Sequence, residues 1–141
     1  MMADRFFVDT NVLVYAHDAG SGPKHDSARS LLKRLWEERS GILSTQVLQE
    51  FYANVRRKAK NPMPAAEVRQ TIEDYLCWTV VVNDGGAILR AVDLAEKHGI
   101  SFWDALIVDA ANQAGAATLY SEDLSHGQIY GSVRVLNPFF V

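Results

Sequence analysis

The chain has 141 residues, of which 48% are hydrophobic and 22% charged, and this composition is typical of one globular domain. It is too apolar for a disordered chain, and its aliphatic runs are too short to cross a bilayer. The net charge of −3 gives no overall positive field for nucleic acid. We expect residues 1–141 to form a single domain. The N-terminal residues lack the apolar stretch of a secretory signal and Cys77 is the sole cysteine, so we expect a cytoplasmic protein with Cys77 in its core.

Short apolar runs alternate with amphipathic stretches in the first half of the chain. Apolar residues at helical or strand spacing predict a strand at 5–8, helices at 12–17 and 25–39, a strand at 41–44 and a helix at 46–58. The first strand ends at Asp9, and Ser44 or Thr45 is expected to cap the helix that follows the second strand. The basic residues at 56–60 suit either the end of that helix or contact with phosphate.

The second half of the chain repeats the same alternation. Its pattern predicts a helix at 64–77, a strand at 79–82, a helix ending at 98, a helix at 102–113, and strands at 117–120 and 133–136. Val68, Ile72 and Leu76 recur four residues apart and are expected to form the buried stripe of the first of these helices. Strands that alternate with helices imply a parallel sheet covered by helices on both faces.

Two acidic residues follow predicted strands. The chain has no glycine-rich phosphate loop, no dinucleotide-binding motif, no HExxH and no GxSxG, and its four histidines show no metal-ligand spacing. Asp9 follows the first strand directly, and Asp123 follows the strand at 117–120. Open α/β sheets bind ligands at the carboxyl ends of their strands, although the two residues also suit a helix cap and a turn.

Two further acids lie on predicted helices. Glu50 falls at the margin of the apolar face of its helix, where Asn54, one turn later, could orient it or a water molecule that it holds. Asp104 lies in a helix that is apolar all round, so its charge needs compensation. Ser101 and Asp104 also fit a capping box. Asp109, about 140° from Asp104 around the same helix, is predicted to have a structural role or to contact a residue that supports the site.

The sequence predicts that these acids converge on one cleft. Carboxylates that lie within a few ångströms of one another repel strongly unless a cation lies among them, and hard oxygen ligands suit Mg²⁺ or Mn²⁺. Such an ion could activate water and neutralise charge on a phosphate, so the implied reaction is phosphodiester hydrolysis. The expected members of the cluster are Asp9, Glu50, Asp104 and Asp123.

Four segments resemble, in order and spacing, the acidic motifs of PIN-domain ribonucleases, and most closely those of VapC-like toxins from prokaryotic toxin–antitoxin pairs. The segments are Phe7 to Asn11, Leu48 to Phe51, Trp103 to Ile107 and Ser121 to Leu124. The resemblance spans nearly the whole chain. It implies a three-layer α/β/α sandwich with a mostly parallel sheet, Mg²⁺- or Mn²⁺-dependent endoribonuclease activity, a homodimer, and neutralisation by a cognate antitoxin through which DNA is contacted.

The resemblance also assigns roles to individual residues. Thr10, Asn11 and Ser121 match the polar residues that support the acids, and Ser121 stands where the family commonly has threonine. Asp123 is the acid that can lie farthest from the metal. The catalytic and metal-binding quartet implied by the resemblance is Asp9, Glu50, Asp104 and Asp123.

Two other functions fit parts of the sequence. The fold could serve as a binding module that acts mainly through an antitoxin complex on DNA, although an acidic chain does not favour direct contact with DNA. A haloacid dehalogenase-like phosphatase also needs an aspartate after its first strand, but Asn11 stands where that family has its second aspartate. In the preferred hypothesis, a toxin that cuts single-stranded RNA, basic residues near Arg56 would contact the RNA.

Overall fold

Six helices surround a six-stranded sheet in the computed structural model of the chain, which describes residues 3–57 and 61–140. The strands are β1 (Phe6–Val8), β2 (Gly41–Ser44), β3 (Thr79–Val81), β4 (Thr118–Tyr120), β5 (Ile129–Tyr130) and β6 (Val133–Leu136). The helices are α1 (Thr10–Ala16), α2 (Pro23–Glu38), α3 (Thr45–Arg56), α4 (Ala65–Tyr75), α5 (Gly85–His98) and α6 (Phe102–Gln113).

The strand order places β1 inside the sheet. The order is β3-β2-β1-β4-β6-β5, and each pair is parallel except β5 with β6. Phe7 and Val8 of β1 are fully buried, as expected for a strand with neighbours on both sides and helices on both faces. The predicted three-layer α/β/α sandwich with a mostly parallel sheet is therefore confirmed. Because β1 and β4 are parallel neighbours, the residues that follow them lie at the same edge.

One close approach ties the sheet to its helical cover. The ring of Trp78 lies directly over Gly41, so that a Cβ atom at Gly41 would fall 2.3 Å from the ring. Trp78 in turn contacts Trp36 and Tyr75 edge-on, and Trp36 lies tilted against Tyr75, in an aromatic cluster between α2, α4 and β3. Glycine at the start of β2 is thus required by the space that Trp78 occupies.

The predicted elements are present, with small differences at their ends. Helix α1 begins at Thr10, two residues earlier than predicted, because Asp9 accepts a hydrogen bond from the Thr10 amide and caps the helix. Pro64 precedes α4 instead of opening it. The predicted end of α3 at Lys58 lies outside the described residues. Strand β5 was not predicted, because two residues between turns carry no periodicity.

Two predictions about the end of α4 are wrong. Leu76 is exposed, and Tyr75 occupies the buried position instead, with its hydroxyl 2.7 Å from His17 Nε2. Cys77 is exposed and not a core residue, because it lies in the turn between α4 and β3. None of the helices in the described segments is both long and apolar enough to span a membrane.

Candidate active site

A cavity of about 330 Å³ opens at the edge of the sheet where β1 and β4 end. All four acids predicted from the sequence contribute to its wall, together with polar residues from α1 and α3 and an aromatic residue from α6. The structure therefore brings to one place four carboxyl groups that are far apart in the chain. The lining residues used below are Asp9, Thr10, Asn11, Tyr15, Gln46, Glu50, Asn54, Trp103, Asp104 and Asp123.

Asp9 is the most buried of these acids, at 4% exposure. Its Oδ1 accepts a hydrogen bond from the Thr10 amide at 2.7 Å, and its Oδ2 accepts one from the Ser121 hydroxyl at 2.7 Å. Burial raises the pKa of Asp9 to about 7, against the effect of the two hydrogen bonds, and the nearby charges of Asp123 and Asp104 raise it further. Asp9 thus serves as a helix cap and as a cavity acid at once.

Glu50 projects from α3 and is held by two side chains. Its Oε1 accepts a hydrogen bond from the Thr10 hydroxyl at 2.7 Å, and its Oε2 accepts one from Gln46 Nε2 at 3.4 Å. The prediction that Asn54 orients this carboxylate is wrong, because the Asn54 amide donates to the main-chain oxygen of Glu50 instead. The orientation of Glu50 therefore depends on Thr10 and Gln46.

Asp104 enters the cavity from the first turn of α6. The Ser101 hydroxyl accepts from the Asp104 amide at 3.0 Å, which is one of the two contacts of the predicted capping box, while the half-buried carboxyl group lines the cavity. Burial raises the pKa of Asp104, a hydrogen bond with Ser101 opposes this, and repulsion by Asp123 and Glu50 adds to it. Although the residues around α6 are nearly all apolar, the helix is not buried on every side, because Trp103 is exposed to solvent.

The loop after β4 supplies Asp123 and is fixed by polar contacts. Asp123 is exposed on the cavity wall, and its amide donates to the Ser121 hydroxyl at 3.1 Å. Asn11 Oδ1 accepts from the Glu122 amide at 3.3 Å, and the Glu122 carboxylate binds the Tyr15 hydroxyl and Lys24. Asn11 and Ser121 thus hold together the ends of β1 and β4.

The fifth acid considered from the sequence points elsewhere. Asp109 is buried on the opposite side of α6 and accepts hydrogen bonds from Arg90 of α5 at 2.8 and 3.3 Å. It does not line the cavity. Its geometry is that of an ion pair between two helices.

Gln46 is a site residue that the sequence analysis missed. It is 6% exposed, lines the cavity, and donates to the main-chain oxygen of Trp103 at 3.1 Å as well as to Glu50. Its Oε1 is buried and has no hydrogen-bond partner among the described residues. The sequence did carry one signal for it, because Gln46 stands four residues before Glu50 and therefore lies on the same side of α3.

The donor set suits a hard divalent cation, but the acids are not drawn together around one. Within residues 3–57 and 61–140, no three histidine, cysteine or acidic side chains are close enough to hold a metal ion. The acids nevertheless share one cavity, in which the charge of Asp123 raises the pKa of both Asp9 and Asp104, and a cation would relieve this repulsion. Carboxylate oxygens are ligands of the kind that Mg²⁺ and Mn²⁺ bind.

The basic stretch at the end of α3 is partly engaged in local contacts. Arg56 donates to the main-chain oxygen of Met63 at 2.8 Å, and Arg57 donates through Nε to that of Ala53 at 3.1 Å. Lys58 and Lys60, which the sequence analysis included in this stretch, lie outside the described residues.

Comparison with known proteins identifies a family and a set of similar folds. The sequence matches the family described as PIN domain over residues 6–131. A search of curated protein sequences gives no significant match. The structure of the Mycobacterium tuberculosis toxin VapC20, a sarcin-ricin loop cleaving toxin, superposes with a TM-score of 0.67 at 24% identity, covering 84% of this chain and 89% of that one.

Two further solved structures share the fold. A toxin–antitoxin complex from Klebsiella pneumoniae aligns with a TM-score of 0.69 at 17% identity, over 98% of this chain and 100% of that one. VapBC2 from Rickettsia felis, bound to a DNA fragment from its promoter, aligns with a TM-score of 0.63 at 21% identity, over 92% and 96% of the two chains. At sequence identities below 25%, this similarity establishes a shared fold and nothing further.

Proposed function

Since the chain belongs to the PIN domain family, we propose that it is a divalent-metal-dependent endoribonuclease and the toxin of a toxin–antitoxin pair. The observation that carries the proposal is the convergence of Asp9, Glu50, Asp104 and Asp123 on one cavity at the edge of the sheet. A structural role for each acid does not account for four carboxyl groups that share a cavity in which neighbouring acids raise the pKa of Asp9 and of Asp104.

Asp9, Glu50 and Asp104 would hold Mg²⁺ or Mn²⁺, directly or through water, and Asp123 would complete the acidic pocket. A divalent ion held there would polarise water for attack on phosphorus and neutralise charge on the phosphodiester. Ser121 and the Thr10 amide fix the two oxygens of Asp9, while Thr10 and Gln46 fix those of Glu50. These contacts support the carboxyl groups and leave the cavity side accessible to ligand.

The biological role rests on the structural relatives. VapC20 is a toxin that cleaves the sarcin-ricin loop, and the Klebsiella pneumoniae and Rickettsia felis structures are toxin–antitoxin assemblies, the latter on promoter DNA. We infer by analogy that this chain acts on RNA, forms a homodimer, and is neutralised by a cognate antitoxin that makes the contact with DNA. The net charge of −3 agrees with contact with DNA through a partner.

Metal-dependent RNA cleavage tests the enzymatic proposal. Purified protein is incubated with single-stranded RNA in chelator, then with Mg²⁺ or Mn²⁺ restored, beside Asp9→Asn, Asp104→Asn and the control Asp93→Asn. Asp93 is an exposed aspartate of α5 outside the cavity. We expect cleavage only with metal, a loss of roughly 100-fold or more in the two cavity variants, and no change in the control. Equal cleavage in chelator, or full activity of Asp9→Asn, would contradict the mechanism.

One observation favours a second function, a binding module without catalysis. No three histidine, cysteine or acidic side chains in the described parts of the chain are close enough to hold a metal ion. A module that acts only by occupying an antitoxin would need no such group. Growth of cells that express the chain separates the two functions, since a nuclease arrests growth in a way that Asp104→Asn relieves, whereas a binding module gives equal growth with either chain.

A further inference from the structure

The orientation of the Gln46 side chain is fixed by its two partners. Nε2 donates to Glu50 Oε2 at 3.4 Å and to the main-chain oxygen of Trp103 at 3.1 Å. Both partners are acceptors at neutral pH, so rotating the amide by 180° would place its oxygen against two other oxygens. The nitrogen therefore faces Glu50 and Trp103, and Oε1 faces away from them.

Among the described residues, Gln46 Oε1 finds no hydrogen-bond partner, and Trp103 remains largely exposed. Oε1 is buried and has no hydrogen-bond partner within the described residues, an arrangement that is unfavourable unless a ligand or water supplies a donor. The side chain of Trp103 is 62% exposed at the cavity, although its size would make burial favourable. Gln46, which carries this unpaired acceptor, and the exposed Trp103 thus line the same acidic cavity.

We propose that Gln46 and Trp103 form a nucleobase subsite next to the site of cleavage, an inference that rests on the proposed nuclease function. The ring of Trp103 stacks on an unpaired base of single-stranded RNA, and Gln46 Oε1 accepts a hydrogen bond from the exocyclic amino group of that base. Exposed aromatic side chains are the usual platforms for unstacked bases, whose edges are then read by hydrogen bonds. Trp103 directly precedes Asp104, so the stacked base lies beside the carboxyl groups.

The chemistry of the pocket predicts which bases it accepts. Adenine and cytosine carry an amino group at the edge of the ring, and guanine carries one at its minor-groove edge. Uracil has no amino group, and its ring N–H lies between two carbonyl oxygens that would approach Glu50 and Asp104. We therefore expect the subsite to disfavour uridine.

A cleavage profile on random RNA tests the subsite. A pool of short single-stranded RNA of random sequence is cut in Mn²⁺ and the new ends are sequenced for the wild type, Trp103→Ala, Trp103→Phe, Gln46→Leu and Phe140→Ala. Phe140 is a matched control because it is an aromatic residue with 65% exposure outside the cavity. Trp103 is at the surface, so its variants are expected to fold even where Gln46→Leu does not.

We expect uridine to be depleted at one position beside the cut in the wild type, in Trp103→Phe and in Phe140→Ala. The depletion should weaken in Gln46→Leu and in Trp103→Ala, and Trp103→Ala should also bind the pool about ten-fold more weakly, the effect of losing one stacked base. A flat wild-type profile, or a depletion that survives in Trp103→Ala or in folded Gln46→Leu, would overturn the subsite while leaving the nuclease intact. Failure of the wild type to cut any RNA would overturn both proposals.

Discussion

The hydrogen bonds of Asp9 and its burial favour opposite charge states of its carboxyl group. As the cap of α1 and the acceptor of the Ser121 hydroxyl, it gains from carrying a charge. Burial at the edge of the sheet disfavours that charge more strongly, so its pKa rises to about 7. The protein without metal therefore holds an acid that resists ionisation, and a bound cation would supply the missing compensation.

This conflict predicts how Asp9 changes stability with pH in metal-free protein. The folded-state pKa of about 7 lies above the ordinary value of 3.8. The stabilising contribution of Asp9 to the free energy of unfolding is therefore fully present below pH 3.8 and is lost as the pH rises through 7. Asp9→Asn keeps an acceptor for the Thr10 amide without the charge. We expect Asp9→Asn to be more stable than the wild type at about pH 8, by on the order of 4 kcal/mol, with a much smaller difference at about pH 5.

Thermal or urea unfolding in chelator at the two pH values measures this difference. Asp93→Asn provides the control, since Asp93 is exposed and lies outside the cavity. Mn²⁺ should raise the stability of the wild type and leave Asp9→Asn unchanged. A variant that is equally destabilised at both pH values would show that Asp9 is mainly a charged cap.

At the level of the elements, α6 uses two sides for two different purposes. Asp104 faces the cavity, and Asp109, about 140° further round the helix, pairs with Arg90 of α5. Asp109 is buried whereas Arg90 is about half exposed, so the pair lies at the margin of the helix interface. Removal of Arg90 would leave a buried carboxylate without its partner.

This pair predicts an asymmetric response to mutation. We expect Arg90→Met to lower the melting temperature by roughly 5 °C or more, because Asp109 stays buried and charged. The double variant Arg90→Met with Asp109→Leu should recover much of that loss, since no unpaired charge remains. Circular dichroism melts measure both changes, and the RNA cleavage pattern should stay the same in both variants. If Arg90→Met leaves the melting temperature unchanged, water already compensates the charge of Asp109.

The sequence predicted the elements well and the contacts between them poorly. Strand ends and helix stripes depend on local periodicity, so the position of Asp9 at the edge of the sheet followed from the apolar run before it. Gln46 was missed because a polar residue in the first turn of a helix looks solvated until the helix that covers it is known. Asn54 was assigned to the wrong oxygen of Glu50 because spacing along a helix does not distinguish a carboxylate from a main-chain carbonyl.

The whole molecule presents an acidic cavity on an acidic chain, which poses a problem for a polyanionic substrate. Gln46, Glu50 and Asn54 follow one another at steps of four along α3 and line the cavity. Arg57 caps the C-terminus of α3, and eleven residues of ideal helix from Gln46 bring this position back to within about 20° of Gln46, whereas Arg56 lies roughly 100° from Arg57 around the helix axis. The stripe extends from the carboxyl groups towards the guanidinium group of Arg57, and we expect an RNA strand that leaves the cavity along α3 to meet this charge.

This arrangement predicts that Arg57 contributes one phosphate contact to RNA binding. We expect Arg57→Gln to weaken binding of a single-stranded RNA and to reduce the slope of log affinity against log salt by about 0.7, the value for one released counterion. Arg56→Gln removes the same charge one residue earlier and should leave the slope unchanged. Fluorescence anisotropy across a salt series, with Asp104→Asn as the background that prevents cleavage, measures both slopes. Equal slopes for Arg57→Gln and Arg56→Gln would mean that the net charge of the protein, and not the direction in which Arg57 projects at the end of α3, governs the approach of RNA.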